Sequence, residues 1–433
     1  MSAKRENIGI GLMGLGVIGS GVANVLLGKA DALAKQAGAE LVLKKILEQD
    51  LAKHGSSGIA PGLFTTQPKE LLEHSEIDIV IELLGGERPA VEYIIEALVS
   101  GKHVVTANKE VMAKHGYKLL ALAQENNVSL CYEASVGGGI PLIAPFQYDL
   151  VANDISAIYA IVNGTTNYIL TRMAQEGLDF SVALKQAQGL GYAEADPTND
   201  IDGLDAVYKL AILVTLAFGI KISPEDIHRE GISRLQARDF RYAQELGYAI
   251  KLLAIAKRID NSVEVRVHPV FISEDTLLAK VNGVYNAIHV EGDLVGKVIF
   301  YGEGAGPSAT SSAVVADTIG ITRNLIHGES NSPGLLMNDE LTIKPMAEVE
   351  TRYYLRMSVV DQSGVLAQIS KVLGDHRISI LSVIQKESDL SNQTAEIVIM
   401  THPAREKAVQ QALKEVEQLP VIKEISNFVR VEA

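Results

Sequence analysis

The chain has a single cysteine among 433 residues, Cys131, so no intrachain disulfide can form. That fits a reducing cytosol. Cys131 lies in VSLCYEA, a buried-strand pattern, and reads as a small core residue rather than a nucleophile. No Cys/His spacing suits zinc or iron, and there is no GxSxG nucleophile elbow. Clusters of Lys and Arg are missing too, and the net charge is −14. Phosphate backbones and anionic lipid demand clustered basic side chains, so nucleic acid and membrane are excluded as main partners. The longest apolar run, residues 210–220, is flanked by Lys209 and Lys221. It falls well short of the roughly 20 residues of a spanning helix. The N-terminal MSAKRENIGIGLMGLG lacks the layout of a signal peptide. These absences point to the cytoplasm. What remains is 47% hydrophobic and 21% charged, a globular composition long enough for about three domains. There are no internal repeats or low-complexity tracts.

Apolar strands are predicted at residues 7–13, 40–47, 77–83, 103–106 and 129–133. Helices are predicted from the glycine loop to about 35, at 90–100 and at 110–126. Continuous rather than alternating apolar strands, interleaved with helices, mean a parallel sheet covered on both faces. The rhythm changes near 141. A strand at 155–162, helices after NGTTN and at 180–189 and 204–218, then one helix and several strands imply an α+β region with a mixed sheet. Residues 328–345, rich in Ser, Asn, Gly and Pro, read as a linker. Beyond them the order βαββαβ, over 353–429, is the ferredoxin-like arrangement. The fold class is therefore α/β: a Rossmann-like domain at 1–140, with 304–325 packing back on it, a central α+β domain at 141–325, a linker at 326–350 and a ferredoxin-like domain at 351–433.

Gly14-Leu15-Gly16-Val17-Ile18-Gly19 spells GxGxxG directly after the first strand. Its glycines suit a tight turn, close approach of backbone to a pyrophosphate, and close helix packing. The alternative is a turn required only for packing. After the second strand come Glu48, Gln49 and Asp50, then Lys53 and His54, which leave NAD against NADP undecided. Thr106 and Lys109, in TANK, follow a strand's C-terminal end, the edge where open parallel sheets bind ligands. Glu133, Val136, Gly138 and Ile140 lie in a second glycine loop, EASVGGGIP. Carbonyls and a carboxylate there can hold a hard cation; a hinge explains the composition equally well. Gly164 and Thr165, in NGTTN, can offer amides and a hydroxyl to a carboxylate, or simply cap a helix.

The densest chemistry is GYAEADPTNDIDGLDAVYK, residues 191–209, which holds Glu194, Asp200, Asp202, Asp205 and Lys209 and runs straight into an apolar helix. Asp202 is expected as the helix N-cap. Asp205 and Lys209, four apart, share a helix face. A lysine beside an apolar surface and carboxylates can be tuned for proton transfer; an ordinary Asp–Lys helix pair is the competing reading.

Taken in order, IGLMGLGVIGSGV, VIELLGG, VVTANKE, EASVGGGIP, NGTTNYIL, the acidic segment with its lysine and YGEGAGPSATSSAVVADTI resemble the homoserine dehydrogenase family over nearly the whole chain. The C-terminal module, with DQSGVLAQI, resembles an ACT domain, an amino-acid-sensing fold that many monofunctional members carry. The resemblance implies NAD(P)-linked, reversible interconversion of L-homoserine and L-aspartate 4-semialdehyde, in threonine, methionine and isoleucine synthesis. It assigns Lys209 as proton donor and acceptor, with Asp205 beside the substrate hydroxyl and Lys109 near cofactor and substrate. Glu194 would bind substrate, with Gly164, Thr165 and Asp200 around it. Residues 14–19, Thr106 and Gly306 would hold the cofactor. Glu133, Val136, Gly138 and Ile140 would hold a monovalent cation, Na or K. Threonine is the effector that pathway logic suggests, at Asp361 and Gly364. Dimers or tetramers are implied. Gln49 stands where many members have Arg, which weakens NADP as sole cofactor, although Lys53 can partly replace it. A non-catalytic amino-acid sensor and another NAD(P)-linked amino-acid dehydrogenase are the competing readings; the intact glycines, Glu194, Asp205 and Lys209 argue against the first.

Overall fold

Strand β1 (Asn7–Met13) is buried at every position after the first, as a central strand covered on both faces must be. The computed structural model describes residues 5–51, 58–328, 337–389 and 393–432. They form two compact units. The first takes residues 1–155, 208–226 and 291–339; the second takes 156–207, 227–290 and 340–433.

In the first unit β1 is joined by β2 (Glu40–Leu47), β3 (Phe64–Thr65), β4 (Ile79–Glu82), β5 (His103–Thr106) and β6 (Leu130–Cys131). The order is β3-β2-β1-β4-β5-β6, parallel throughout. Helices α1 (Val17–Gly28), α2 (Ala30–Ala37), α3 (Pro68–Leu72), α4 (Ala90–Val99) and α5 (Lys109–Glu125) form its crossovers. This is the doubly wound arrangement, with the order reversing between β1 and β4, where ligands bind at the strands' C-terminal ends. The helix Pro307–His327 packs on α1, with Gly21 in contact with Ser311. Its Val314, Val315 and Ile319 join the sheet's core. Cys131 is only half-buried but packs against the same core.

The second unit holds β7 (Ile155–Ile161), α6 (Gly164–Glu176), α7 (Phe180–Gly189), α8 (Thr198–Ile201) and the start of α9 (Leu204–Phe218). It continues through β8 (His228–Arg229), α10 (Ala237–Glu245), β9 (Tyr248–Ile259), β10 (Ser262–Ser273) and most of β11 (Tyr285–Gly292). After β12 (Gly296–Glu303) and α11, the Pro307–His327 helix, come β13 (Thr342–Ile343), β14 (Glu350–Val360), α12 (Val365–Asp375), β15 (Ile380–Asp389), β16 (Thr394–Thr401), β17 (Ala404–Arg405), α13 (Glu406–Glu417) and β18 (Ile422–Glu432). The last six main elements are the predicted βαββαβ, in sheet order β18-β14-β16-β15.

Two features were not visible in the sequence. The C-terminal module is not a separate bead: β18 pairs in parallel with β10 through Val270–Arg430, Phe271–Val431 and Ile272–Glu432. One mixed sheet therefore runs from β7 through β9, β10, β18, β14 and β16 to β15. Within the segment 326–350, residues 329–336 lie outside the described residues, while β13 pairs with the start of β10.

Asp202 is not the N-cap of α9. It terminates the short helix α8, and Gly203 intervenes; the Gly203 carbonyl accepts the Val207 N–H of the first turn. The extra turn of α8 was unreadable because TNDI has no apolar periodicity.

Candidate active site

The glycine loop divides its work by residue. Gly14 has φ +89°, a left-handed conformation that costs any other residue strain, and a Cβ there would meet the Leu83 carbonyl oxygen at 2.7 Å. Gly19 packs so closely that a Cβ would lie 2.0 Å from the Gly14 carbonyl oxygen. Gly16, the helix N-cap, faces open space. That leaves free backbone at a helix N-terminus, where a pyrophosphate is favoured. Leu15 is buried and anchors the loop, Val17 is exposed and Ile18 half-buried. Gly306, the N-cap of α11, belongs to the same unit.

Across the switch point, one buried residue that sequence reading passed over organises two loops. Glu82 closes β4 and is fully buried. Its carboxylate accepts the Leu84 N–H at 2.8 Å and the Thr106 hydroxyl at 2.7 Å. Thr106 in turn accepts the Asn108 N–H at 3.0 Å. Asn108 caps α5 through the Val111 N–H and donates to the Gly86 carbonyl at 2.7 Å. Burial pushes the Glu82 carboxyl upward, against the donors that hold it. The signal was an acid inside an apolar strand, VIELL. Lys109, half-buried, opens the helix that this network sets in place. One turn on, Glu110 and Glu87 flank Lys114 at 2.7 Å each and raise its pKa, while Tyr208 of α9 reaches Glu110 at 3.5 Å.

The acidic segment folds around Asn163. Its side-chain oxygen caps α6 by accepting the Thr166 N–H at 2.8 Å. Its amide nitrogen donates to Asp200 at 2.7 Å and to Asp205 at 2.9 Å. A buried amide thus ties two predicted substrate-site carboxylates to the start of α6, where Gly164 and Thr165 sit. Thr165 donates to the Tyr192 carbonyl at 2.6 Å, drawing in the chain that leads to Glu194. Glu194 is exposed, and its backbone carbonyl accepts from Gln188 at 3.1 Å. Asp205 and Lys209 are 4% and 8% exposed, one turn apart on α9. Local sequence around Asn163 does not reveal the bridge, which requires residues 37 and 42 positions further along the chain.

The second glycine loop forms a short turn at Glu133–Ser135. The Glu133 carboxylate is occupied by the backbone N–H groups of Leu142, Ile143 and Ala144. A cation bound here would therefore be held by backbone carbonyl oxygens, which suits a hard monovalent ion. Among the described residues there is no cluster of three or more His, Cys, Asp or Glu side chains placed for a metal. Asp361 and Gly364 lie on the exposed turn between β14 and α12. Lys53 and His54 lie outside the described residues. Among the described residues no single helix is long and apolar enough to cross a membrane.

Comparison with known proteins agrees along the chain. The homoserine dehydrogenase NAD-binding domain model matches residues 14–133, the homoserine dehydrogenase model matches 141–319, and the ACT domain model matches 353–421. The homoserine dehydrogenase of Neisseria gonorrhoeae is 42% identical, over 98% of this chain and 99% of that protein. The solved structure of a homoserine dehydrogenase from Thiobacillus denitrificans superposes with a TM-score of 0.92 at 43% identity, over 99% of both chains. A hyperthermophilic archaeal homoserine dehydrogenase in complex with NADPH gives 0.64 at 30%, over 76% of this chain and all of that one.

Proposed function

The chain belongs to the homoserine dehydrogenase family, and from that premise we propose that its NAD(P)-dependent interconversion of L-homoserine and L-aspartate 4-semialdehyde is carried by Lys209 as general acid and base. The observation that supports this most is the buried Asn163 bridge, which ties Asp200 to Asp205, the residue one helical turn before the nearly buried Lys209. A bound nicotinamide cofactor supplies the hydride for reduction and accepts it in oxidation. When the terminal carbonyl carbon gains the hydride, the carbonyl oxygen gains the C–O bonding pair as negative charge. The protonated Lys209 Nζ then delivers a proton to that oxygen, and its positive field favours the charge as it develops. In the reverse direction neutral Lys209 takes the hydroxyl proton. Asp205 orients the hydroxyl, and Asp200 and Glu194 receive the substrate's ammonium group. Gly164 and Thr165, at the N-terminus of α6, face its carboxylate. Lys109 is assigned, by the family resemblance, a place near the reacting cofactor.

The cofactor's pyrophosphate is assigned to residues 14–19, with Thr106 and Gly306 at its flanks. A monovalent cation, Na or K, is assigned to the carbonyls of Glu133, Val136, Gly138 and Ile140. The ACT module binds an amino-acid effector at Asp361 and Gly364, with threonine as the chosen candidate. The protein works in the cytoplasm as a homodimer or homotetramer, in threonine, methionine and isoleucine synthesis. The domains divide at 1–140, with 304–325 added, 141–325 and 351–433.

The deciding measurement is NADH and NADPH oxidation with L-aspartate 4-semialdehyde, with and without threonine. Turnover is expected in wild type. Lys209→Ala is expected to lower kcat by about a hundredfold or more while nucleotide binding persists. Near-normal turnover in that variant would sink the assignment.

A further inference from the structure

Lys251 of β9 is 3% exposed, and among the described residues its hydrogen-bond partners are all neutral. Its Nζ donates to the Val281 carbonyl, to Asn282 Oδ1 at 3.1 Å and to Asn167 Oδ1 at 3.4 Å. Burial lowers its pKa to about 8, which leaves it mostly protonated at neutral pH. Burying a cation among neutral oxygens costs more than an apolar residue there would. The same loop carries the start of α6. Asn167 donates to the Val281 and Tyr285 carbonyls at 3.2 and 3.0 Å. Thr171, one turn further along α6, accepts the Gly283 N–H at 3.0 Å. Gly164 opens α6 so near the loop that a Cβ would lie 2.7 Å from the Val284 carbonyl oxygen. Lys251 thus fastens residues 281–284, and the first turn of α6 rests on them. At about 1.5 Å per residue, Asn167 lies roughly 5 Å along the axis from Gly164, which brings the Lys251 charge within about 10 Å of that turn.

We infer that Lys251 is a positioning residue for the substrate: it holds the first turn of α6 in place and supplies beside it the positive charge that the substrate's carboxylate completes. The inference rests on the reading above that seats this carboxylate at Gly164 and Thr165. A carboxylate arriving there meets the helix dipole and a fixed cation together. Away from bulk water that attraction is several times stronger than in solution. An uncharged analogue gains from neither, so Lys251 contributes to selection of the acid over its amide.

The test compares oxidation of L-homoserine with that of L-homoserinamide, which keeps the hydroxyl and ammonium but not the negative charge. Binding of L-homoserine to the full chain with nicotinamide cofactor is titrated by calorimetry alongside. Lys251→Gln removes the cation. Asn282→Asp leaves Lys251 in place and gives it a carboxylate partner from an exposed position. Lys251→Gln is expected to raise KM and Kd for L-homoserine about tenfold, and Asn282→Asp about threefold because solvent screens the new charge. KM for the amide should stay within about twofold and kcat should change little, the pattern of lost uniform binding. Asn282→Asp should melt no lower than wild type, since it pairs a buried charge. A purely structural clip predicts otherwise: acid and amide would suffer equally in Lys251→Gln, and Asn282→Asp would bind L-homoserine like wild type. Either of those results would overturn the inference, and the second remains available if Lys251→Gln does not fold. If turnover fails in wild type while L-homoserine binding still weakens in Asn282→Asp, the catalytic reading fails and this one stands. If wild type binds no L-homoserine, both fall.

Discussion

At the scale of single residues, several buried polar groups link other groups to one another. Asn163 is the clearest. Its oxygen caps one helix and its amide bridges two carboxylates. The two tasks are separable. Asn163→Ser keeps a capping oxygen but loses the amide donor, so kcat is expected to fall while thermal stability stays near wild type. Asn163→Ala loses both, with a further cost of about 1–2 kcal/mol in a denaturant melt. Equal stability for the two variants would argue against the capping role. Glu82 works in the same way on the cofactor side. Glu82→Gln retains an acceptor and is expected to be mild. Glu82→Ala strands the Thr106 hydroxyl and the Leu84 N–H, for about 1–3 kcal/mol and weaker nucleotide binding.

At the scale of elements, β5 carries a pH dependence that belongs to the sheet rather than to the site. His103 is buried there, and its Nδ1 accepts the Ser129 N–H at 3.0 Å. Burial depresses its pKa to about 4, with Asp78 opposing and Arg5 adding slightly. The folded pKa lies below the unfolded value, so this contribution is complete above about pH 6.5. It is lost as pH falls through 4, to the extent of about 3 kcal/mol. Urea midpoints taken from pH 7.5 to 4 should decline for wild type. His103→Asn, which keeps an acceptor and does not titrate, should decline less over the same window. Parallel curves would show that other groups dominate. The elements themselves were readable where apolar periodicity was strong, as in β1, β4, α12 and α13. They were not readable at α8, where four polar residues adopt a helical turn between Pro197 and Gly203.

At the scale of the whole molecule, the ACT module is built into the second unit through buried charge. Arg356 of β14 reaches Asp239 of α10 at 2.7 Å and Glu396 of β16 at 3.0 Å, and all three are buried. Tyr354, Tyr242 and Asn427 satisfy the remaining acceptors. Arg430 of β18 clasps Glu406 at 2.7 Å and Glu230 at 2.8 Å. A buried pair broken on one side leaves a stranded charge, a loss of about 3–5 kcal/mol. Arg356→Ala is therefore expected to lower the melting temperature sharply. Removing residues 351–433 should do more than delete a sensing module: it strips β10 of β18, one of its neighbours, and Asp239 of its cation. The truncated chain is expected to melt lower or aggregate, which calorimetry and size-exclusion chromatography would report. A truncated chain as stable as the whole would mean the module is merely tethered.

The amino-acid sequence by itself determined the local chemistry of this protein. GxGxxG after an apolar strand, a lysine one turn beyond an aspartate, and βαββαβ at the C-terminus are short-range patterns, set by turn geometry, helix spacing and hydrophobic period. They were enough to identify the family and to nominate Lys209, Asp205 and the phosphate loop. Only the tertiary structure decided which distant groups meet. The amide of Asn163 reaches across to Asp200 and Asp205, Glu82 ties two strand ends together, Lys251 fastens the loop before β11, and β18 joins β10. Each of these depends on hydrogen bonds between segments far apart in the chain. No periodicity encodes such pairings; they appear only when burial makes an unsatisfied polar group costly enough to demand a partner.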